Sequence, residues 1–370
     1  MKTENGFLLL ADITGYTNFL ANTPTDIGGR ITAGLLEELV ATVKPPFKVG
    51  NVVGDAIFIY APDDGSASGQ TVLEAVDSLY CAFADRVAAL RYGASCPTDP
   101  AQLAGALDLK LVVHYGEYTC NLIADREELS GAAVVALHRL GKNTVTQDTG
   151  HSGYAMLTSV AVDHMKLNSF FDELEIRTEE IEHLGKIDTY VYPLLPVWER
   201  LRRGIRRFVE KSETLLIDEL NIDLPVPPCR AWELCTEPQY RLQWITGIEA
   251  ISLEGTDHGR MGLDTVQYCD HGNNMVVPVT VSDWRPFDYI SYQIETPLGL
   301  VVEQTIEMQP IGNGTRLTIR CAKPSVGGFM ARLKSRGKID TLVDIFTGLY
   351  GNADEALRRL ARPDAETDHG

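Results

Sequence analysis

The sequence predicts an α+β protein with two domains: a ferredoxin-like α/β layer, then an antiparallel sheet closed by one long helix. Strand and helix patterns alternate between residues 7 and 195, strand patterns dominate from residue 213 onward, and an amphipathic helical pattern covers residues 327–361. The length of 370 residues is enough for two or three domains of about 150 residues each. A hydrophobic content of 44% with 23% charged residues is typical of a soluble globular protein.

Composition and charge exclude several classes of function. The formal net charge of −18 opposes binding to nucleic acids and to anionic membrane surfaces, because both require a positive field. No stretch approaches the roughly 18 apolar residues that a membrane span needs, and the apolar run Phe7–Ala11 is too short for a secretory signal. The seven cysteines are scattered and form no CxxC pair, which indicates reduced thiols, a cytoplasmic location and no zinc site.

The elements of the first domain follow from apolar periodicity and turn residues. An apolar strand leads into two helices, and the segment FKVGNVVGDAIFIYAP predicts a β-hairpin with Gly54 in its turn. The complete predicted order is strand 7–12, helices 15–22 and 28–42, hairpin 47–60, helix 70–91, strands 108–115 and 117–123, helix 130–142, strand 154–159 and a strand pair at 174–193. This alternation predicts a sheet that helices cover.

A basic segment connects the two domains. In VWERLRRGIRRFVEK, apolar residues recur at helical spacing over residues 197–211, and arginines fill the positions between them. We interpret this segment as a linker helix whose arginines face solvent; contact with phosphate groups or a membrane surface is the alternative. The predicted division is a first domain at 1–195, the linker at 196–212, a second domain at 213–361 and a flexible tail at 362–370.

A lone aspartate ends the first apolar strand. In FLLLADITGYTNFL, Asp12 stands where the strand turns into a helix, and Asp55 stands beside Gly54 at the tip of the predicted hairpin. If the hairpin pairs with the strand 7–12, the two carboxylates meet at one end of the sheet. No lysine lies next to either aspartate in the sequence. The pair therefore either repels or shares divalent cations such as Mg²⁺.

The turn after Asp12 has a second predicted role. The backbone N–H groups of Thr14, Gly15 and Tyr16 open a helix and form an anion-binding site. A divalent cation beside such a turn is suited to a triphosphate. The competing interpretation of each motif is structural, since an aspartate before a helix often only caps it and a Gly-Asp pair often only forms a turn.

Five sequence blocks within residues 5–195 resemble the catalytic domain of class III nucleotide cyclases. LLADITGYT and VVGDAIF are similar to the strand-to-helix turn and the Gly-Asp hairpin that carry the family's two metal-binding aspartates. Three further segments, LVVHYGEY, SGAAVVALHRLGKN and HLGKIDTYVYPL, follow in the family's order at residues 111–118, 130–143 and 183–194. The resemblance implies a cyclase-type fold for the first domain.

The resemblance also implies roles for individual residues. Asp12 and Asp55 match the aspartates that hold two metal ions, Mg²⁺ or Mn²⁺, and Arg139 matches the transition-state arginine. The backbone that matches the family's phosphate turn is that of Ile13, Thr14, Gly15 and Tyr16. The family converts a nucleoside triphosphate into a cyclic nucleotide and pyrophosphate in sites built between two cyclase domains. One such domain in a chain therefore implies a homodimer.

Several positions depart from the family pattern. Val135 stands where the family has a transition-state asparagine, and valine neither donates nor accepts a hydrogen bond. Loss of one such donor typically costs about 10²–10³ in rate. Asn51 and Glu128 stand at the base-reading positions and match neither the adenine nor the guanine pattern, so the base is left open. Lys186 lies close to the position of the family's phosphate-binding lysine.

The second domain resembles the START-like superfamily, which includes polyketide cyclases and Bet v 1. The matching features are a strand followed by Pro225-Val-Pro-Pro, a helix with Trp232, a later Trp244, the hairpin GNGTRLTIRCA and the closing helix 327–361. The resemblance implies a helix-grip fold that encloses a cavity for an apolar small molecule. We interpret the tryptophans as core residues, and no set of His, Asp or Glu predicts catalysis in that cavity.

Three functions follow as alternatives. The first is a divergent nucleotide cyclase-like protein that binds NTP through divalent cations, with formation of cyclic NMP, and that is coupled to the ligand-binding second domain. The second is a catalytically inactive, nucleotide-binding regulatory module. The third is a carrier or sensor of an apolar small molecule. Because both aspartates are present while Asn51 and Val135 depart, we favour a cyclase fold with altered or weak activity.

Overall fold

A computed structural model describes most of the chain and divides it into two compact units, Met1–Glu199 and Arg200–Gly370. The described residues are 2–93, 100–123, 126–182, 184–203, 207–256, 260–324 and 329–362. All but the first residue of the predicted tail at 362–370 lie outside them. Both units mix helices with strands, as the sequence predicts. Within the described residues, no helix combines the length and the apolar character that crossing a membrane requires.

An eight-stranded sheet forms the centre of the first unit. Its strands are β1 (Lys2–Thr14), β2 (Lys48–Val53), β3 (Ala56–Pro62), β4 (Asp108–Ile123), β5 (Arg126–Ser130), β6 (Tyr154–Thr158), β7 (Glu175–Ile181) and β8 (Gly185–Pro193). The order across the sheet is β2-β3-β1-β4-β6-β8-β7, and β5 pairs with β4 outside this order. Strands β4 and β6 pair in parallel, which requires the helical crossover found between them.

Helices connect and cover these strands. They are α1 (Tyr16–Ala21), α2 (Thr25–Thr42), α3 (Gly69–Gly93), α4 (Pro100–Leu103), α5 (Ala132–Leu140), α6 (Val145–Thr149), α7 (Ser159–Met165), α8 (Asn168–Phe171) and α9 (Leu195–Arg203). Helix α5 is the one that matters most for the candidate site, because its buried face packs on β1 and β4.

Strand β1 is buried on both faces, which explains its continuous apolar run. Leu8 and Leu9 are both fully buried although they point to opposite faces of the sheet. Leu8 and Leu10 share one hydrophobic cluster with Leu137 of α5. Since alternate residues of a strand share a face, Asp12 belongs to the face that α5 covers.

The structure corrects the boundary expected at Gly116. The sequence predicts two strands, 108–115 and 117–123, but β4 is continuous from Asp108 to Ile123. Gly116 pairs with Gly6 of β1 in the middle of the ladder. A Cβ atom at Gly116 would lie 2.7 Å from the Cβ of Ala133. This glycine therefore permits close packing of α5 on the strand and does not mark a turn.

The second unit contains a seven-stranded antiparallel sheet in the order β10-β11-β12-β13-β14-β15-β9. Its strands are β9 (Leu220–Leu224), β10 (Ala250–Glu254), β11 (Val266–Asp270), β12 (Val276–Arg285), β13 (Tyr289–Glu295), β14 (Val301–Ile311) and β15 (Gly314–Cys321). Buried and more exposed residues alternate along β12. This alternation is typical of a sheet with one face towards a core.

Four helices accompany this sheet in the described part of the unit, and the last of them corrects a prediction. They are α10 (Pro228–Thr236), α11 (Pro238–Trp244), α12 (Phe329–Tyr350) and α13 (Ala353–Leu360). The sequence predicts one helix over 327–361, but the helix is interrupted at Gly351 and Asn352. The N–H of Gly351 bonds back to the carbonyl of Gly348, and the carbonyl of Asn352 accepts the first hydrogen bond of α13.

The predicted linker helix is also shorter than expected. Helix α9 ends at Arg203, and residues 207–210 are not helical. The backbone N–H of Val209 donates to the hydroxyl of Thr305 on β14 at 2.9 Å. A hydrogen bond to the sheet therefore replaces the intrahelical bond that the spacing of the apolar residues predicts.

Candidate functional site

Asp12 lies near the end of β1, between two paired strands. Its register partners are Ala56 on β3 and Lys110 on β4. The ammonium Nζ of Lys110 is 3.0 Å from Oδ2 of Asp12, and the Asp12 side chain is 23% exposed. The pair is a cross-strand ion pair on the face of the sheet that α5 covers. The other carboxylate oxygen of Asp12 has no hydrogen bond or ion pair among the described residues.

Asp55 occupies the tight turn between β2 and β3. Gly54 has a φ of 63°, in the left-handed region that favours glycine. The carbonyl of Asp55 accepts a hydrogen bond of 3.3 Å from the N–H of Ile13, the residue after Asp12. The turn is thus joined to β1 beside Asp12, and the two aspartates lie at the same end of the sheet.

Electrostatics also indicate that the two aspartates are close. The pKa of Asp55 is raised above 3.8, first by burial and then by the negative charge of Asp12. A hydrogen bond to the backbone of Asp55 and the positive charge of Lys110 oppose this rise of the pKa. A carboxyl group such as Asp55, whose ionisation is opposed by burial and by a neighbouring carboxylate, favours a bound proton or a bound cation.

The sequence did not predict Lys110 as a member of this site. No lysine is adjacent to Asp12 or Asp55 along the chain, yet the β1–β4 register brings one into contact with Asp12. Lys110 is in the segment LDLKLVV, where it and Asp108 are the charged residues of a mostly apolar stretch. A charged residue inside such a strand is the signal that could have identified it.

The donor set fits a cation that also binds a ligand. Among the described residues, no group of three or more His, Cys, Asp or Glu side chains could hold a metal ion. Asp12 and Asp55 therefore supply two carboxylates, and Lys110 already occupies one oxygen of Asp12. Mg²⁺ in proteins is commonly bound by one or two carboxylates together with water and substrate phosphates. Asp12 and Asp55 would supply the two carboxylate ligands of such a site, and water and phosphate oxygens would supply the others.

The segment after α5 lies close to this end of the sheet. A Cβ atom at Gly141 would lie 2.8 Å from Cδ2 of Leu10, two residues before Asp12. Tyr154 of β6 is the register partner of Lys110, and its hydroxyl donates to Oδ1 of Asn143 at 2.7 Å. Burial raises the pKa of Tyr154, so this hydroxyl stays protonated. The carboxylate pair thus has a neutral polar neighbour on the side of β6.

The turn that follows Asp12 provides a weaker case for phosphate binding. Helix α1 has only six residues, so its macrodipole is small. The hydroxyl Oγ1 of Thr14 is buried without a hydrogen-bond partner among the described residues. The binding of phosphate by the backbone of residues 13–16 stays a prediction from the family resemblance.

The two predicted base-reading residues lie on β2 and β5, two strands that contact each other but do not pair in the sheet. A Cβ atom at Gly50 would lie 3.4 Å from the side chain of Leu129. Asn51 on β2 and Glu128 on β5 are each one residue from this contact. The amide oxygen Oδ1 of Asn51 is buried without a partner among the described residues, and Glu128 is half-buried.

Two other predicted site residues, Arg139 and Lys186, are exposed. Arg139 is exposed near the C-terminal end of α5, and Val135, one helical turn before it, is 51% exposed. Lys186 is exposed at the start of β8. The opposite end of this strand is the one near the aspartates, because Pro193 is the register partner of Tyr154. In the part of the chain that the structure describes, no hydrogen bond or ion pair links Arg139, Glu128 or Lys186 to Asp12 or Asp55.

A cavity of about 290 Å³ lies elsewhere in this unit, beside the start of α5. Its lining includes Gly131, Ala133, Glu117 and His114. The imidazole Nδ1 of His114 lies 2.9 Å from the hydroxyl of Thr158, and burial lowers the pKa of this histidine. His114 is therefore a buried neutral residue with a satisfied ring nitrogen. Neither Asp12 nor Asp55 lines this cavity.

Comparisons with known sequences identify relatives without an assigned function. A family model described as "Protein of unknown function (DUF2652)" matches residues 32–149. The uncharacterized protein Rv2561/Rv2562 of Mycobacterium tuberculosis is 26% identical over 162 residues, which are 44% of this chain and 73% of that protein.

Solved structures of adenylyl and guanylyl cyclases are similar to about half of the chain. A bacterial light-regulated adenylyl cyclase is 13% identical, with a TM-score of 0.39, over 52% of this chain and 52% of its own. A class III adenylyl cyclase-like ATP-binding protein from Pseudomonas aeruginosa is 20% identical, with a TM-score of 0.36, over 44% of this chain and 35% of its own. This chain spans about half or less of both proteins, and likeness at this level assigns no function.

Replacement of Lys110 tests whether the carboxylates bind a cation. In Lys110→Met the ammonium that is 3.0 Å from Asp12 is removed. We expect Mn²⁺ to bind the protein about tenfold more tightly, because the metal no longer competes with a fixed positive charge. Isothermal calorimetry with Mn²⁺ alone measures this. Lys323→Met, at an exposed lysine of the second unit, is the control and should leave the affinity unchanged. Equal Mn²⁺ affinities in wild type and Lys110→Met would contradict the assignment.

The raised pKa of Asp55 predicts a pH-dependent stability in the absence of metal. A folded-state pKa above 3.8 means that the fold favours the protonated carboxyl, so a contribution to stability is lost as the pH rises through the raised pKa. Asp55→Asn stays neutral and avoids this loss. We expect thermal unfolding in EDTA to show a larger stability advantage of the variant at pH 7 than at pH 3.5. An advantage that shrinks towards pH 7 would mean that the charged carboxylate is stabilising.

Proposed function

We propose that the first unit is a divergent class III nucleotide cyclase-like domain that binds a nucleoside triphosphate through a divalent cation, Mg²⁺ or Mn²⁺. The observation that carries the proposal is the pair of carboxylates at one end of the sheet, where burial and the negative charge of Asp12 both raise the pKa of Asp55. This proposal assigns residues 1–195 to the nucleotide and the metal.

The charge balance supports a cation together with a polyanion. Asp12, Asp55 and Lys110 sum to one negative charge when both aspartates are ionised. A chain with a net charge of −18 repels a free triphosphate. One divalent cation reverses the sign of the local charge and makes the site complementary to phosphate oxygens.

The residues of this chain would divide the binding between them. Asp55 and the second carboxylate oxygen of Asp12 would hold the cation, while Lys110, paired with Oδ2 of Asp12, would add a positive charge for the phosphates. Oγ1 of Thr14 is buried without a partner among the described residues and is a further candidate for contact with this nucleotide; Oδ1 of Asn51, buried in the same way, is a candidate for contact with the base of a nucleotide held by a partner copy. When bound, the metal supplies charge neutralisation at the phosphates and polarisation of the attacking hydroxyl.

A second copy of the chain would complete the site. Val135 and Arg139 are four residues apart on α5 and exposed on one face of it. An exposed arginine there suits contact with the phosphates of a nucleotide held by a partner copy. We therefore propose a homodimer in which Arg139, Glu128 and Lys186 of one copy act at the aspartates of the other.

The alternative is a nucleotide-binding regulatory module without turnover. Val135 provides no hydrogen bond at the position of the transition-state asparagine. The carboxylate pair supports cation and nucleotide binding in both cases. Product formation is what separates the two alternatives.

A survey of the four common NTPs tests the proposal. We expect calorimetry to show binding of at least one NTP that requires Mn²⁺ or Mg²⁺, and we expect Asp12→Asn and Asp55→Asn to abolish it. Asp26→Asn on α2, at a side chain that is 78% exposed, is the matched control. Chromatography of the same mixtures detects cyclic product, and binding without product favours the regulatory module. If no NTP binds in a cation-dependent manner, the proposal is wrong.

A gain of function at Val135 tests the catalytic part separately. Val135→Asn introduces the missing amide on the exposed face of α5. We expect cyclic nucleotide formation to rise by about 10²-fold, the typical worth of one transition-state donor. Val135→Ala controls for loss of the valine side chain. Equal turnover in both variants would show that the surface of α5 does not face the reacting phosphate.

A second candidate function belongs to the second unit. A cavity of about 140 Å³ is lined mostly by apolar side chains from the sheet and from α12. We propose that residues 213–361 form a START-like domain that carries or senses an apolar small molecule in this cavity. In the full chain, binding of the apolar molecule in this cavity would regulate nucleotide binding by the first unit.

A further inference from the structure

An arginine is buried in the wall of the apolar cavity of the second unit. Arg241 of α11 is 3% exposed and lines the cavity together with Ile245, Val279 and Phe346. Its guanidinium carbon lies 4.7 Å from the ring centroid of Tyr292. A fully buried arginine is rare in proteins unless another group compensates its charge.

One edge of the Arg241 guanidinium forms no hydrogen bond with the described residues. Both hydrogen bonds that the Arg241 side chain forms with the described residues come from Nη1, which donates to the carbonyl of Cys235 at 2.9 Å and to the hydroxyl of Tyr292 at 2.9 Å. Nε is buried and has no partner among the described residues. Nε and Nη2 form the side-on fork of a guanidinium, which matches the two oxygens of a carboxylate.

The described residues around Arg241 supply no negative charge. Arg241 forms no ion pair within the described part of the chain, and no aspartate or glutamate lines the cavity. Burial raises the pKa of the Cys235 thiol and of the Tyr292 hydroxyl to about 12, so both groups are neutral. Burial also raises the pKa of Cys269, a third neighbour in the wall. The positive charge is therefore left for a ligand to compensate.

We propose that the cavity binds a small apolar carboxylic acid whose carboxylate pairs with the Nε–Nη2 edge of Arg241. This inference rests on the proposed function of the second unit as an apolar-ligand domain and adds the head group that the ligand must carry. The hydrocarbon part lies against Ile245, Val279 and Phe346. An engineered apolar cavity of about 150 Å³ holds benzene. The cavity of about 140 Å³ thus limits the buried hydrocarbon to a ring or a short chain.

Matched pairs of acids and alcohols test the head group in the wild-type protein. Phenylacetate is compared with 2-phenylethanol, and hexanoate with 1-hexanol, by calorimetry on the full chain at pH 7. We expect each acid to bind at least tenfold more tightly than its alcohol, because a charge-assisted bidentate pair is stronger than a neutral hydrogen bond. This comparison needs no variant and does not depend on how a mutation affects folding.

Two variants locate the effect at Arg241. Arg241→Met removes the charge with a side chain of similar length and should abolish the preference for the acid while weak alcohol binding persists. Arg241→Lys keeps the charge without the fork and should retain only part of the preference. Arg316→Gln, at an exposed arginine paired with Asp223, is the control and should change nothing. Circular dichroism checks that each variant is folded.

The outcomes separate this inference from the function on which it rests. If acids and alcohols bind equally, the cavity accepts apolar molecules but the carboxylate assignment is wrong. If the preference persists in folded Arg241→Met, another group recognises the head group and the assignment to Arg241 is wrong. If none of the four probes binds, the apolar-ligand function fails and the inference fails with it.

Discussion

The cross-strand ion pair between Lys110 and Asp12 is the interaction on which the account of the first unit depends. It exists because β1 and β4 form one long antiparallel ladder whose register opposes these two residues. The turn between β2 and β3 is joined to the same end of β1, because the N–H of Ile13 donates a hydrogen bond to the carbonyl of Asp55. Apolar packing of α5 on this ladder holds the three charged side chains at one place. The charges are thus positioned by the core, at half-buried positions where electrostatic interactions are stronger than in water.

The two units present opposite forms of the same physical constraint. In the first, Asp12 and Asp55 share the one ammonium of Lys110, and burial together with the negative charge of Asp12 raises the pKa of Asp55. In the second, Arg241 is buried beside neutral thiols and a neutral phenol, which leaves an excess positive charge. Buried charge without compensation is costly, so both places favour a ligand of the missing sign. A cation with a polyanion suits the first unit, and an anion with an apolar body suits the second.

Local sequence patterns were sufficient to predict the candidate carboxylates but not their partner. Asp12 and Asp55 each sit beside a turn that the sequence marks, and pairing of neighbouring elements follows from the short connections. Lys110 joins them through the register of β1 with β4, a strand far along the chain; its place in a mostly apolar segment marks it as unusual but does not identify Asp12 as its partner. Gly116 illustrates the reverse case, because a residue that usually marks a turn permits helix packing here. The break of the last helix at Gly351 and the open edge of Arg241 likewise depend on tertiary contacts. Whether Arg139, Glu128 and Lys186 act at the aspartates depends on a second copy of the chain.

The most direct test of the central claim is a crystal structure with Mn²⁺ and a non-hydrolysable nucleoside triphosphate, using anomalous diffraction to locate the metal. The account predicts an anomalous peak between Asp12 and Asp55, at roughly 2.1 Å from one carboxylate oxygen of each and from phosphate oxygens. It also predicts that Nζ of Lys110 stays within hydrogen-bond distance of Asp12 or moves to a phosphate. A well-ordered nucleotide with its metal bound elsewhere, or with no metal at these carboxylates, would contradict the account.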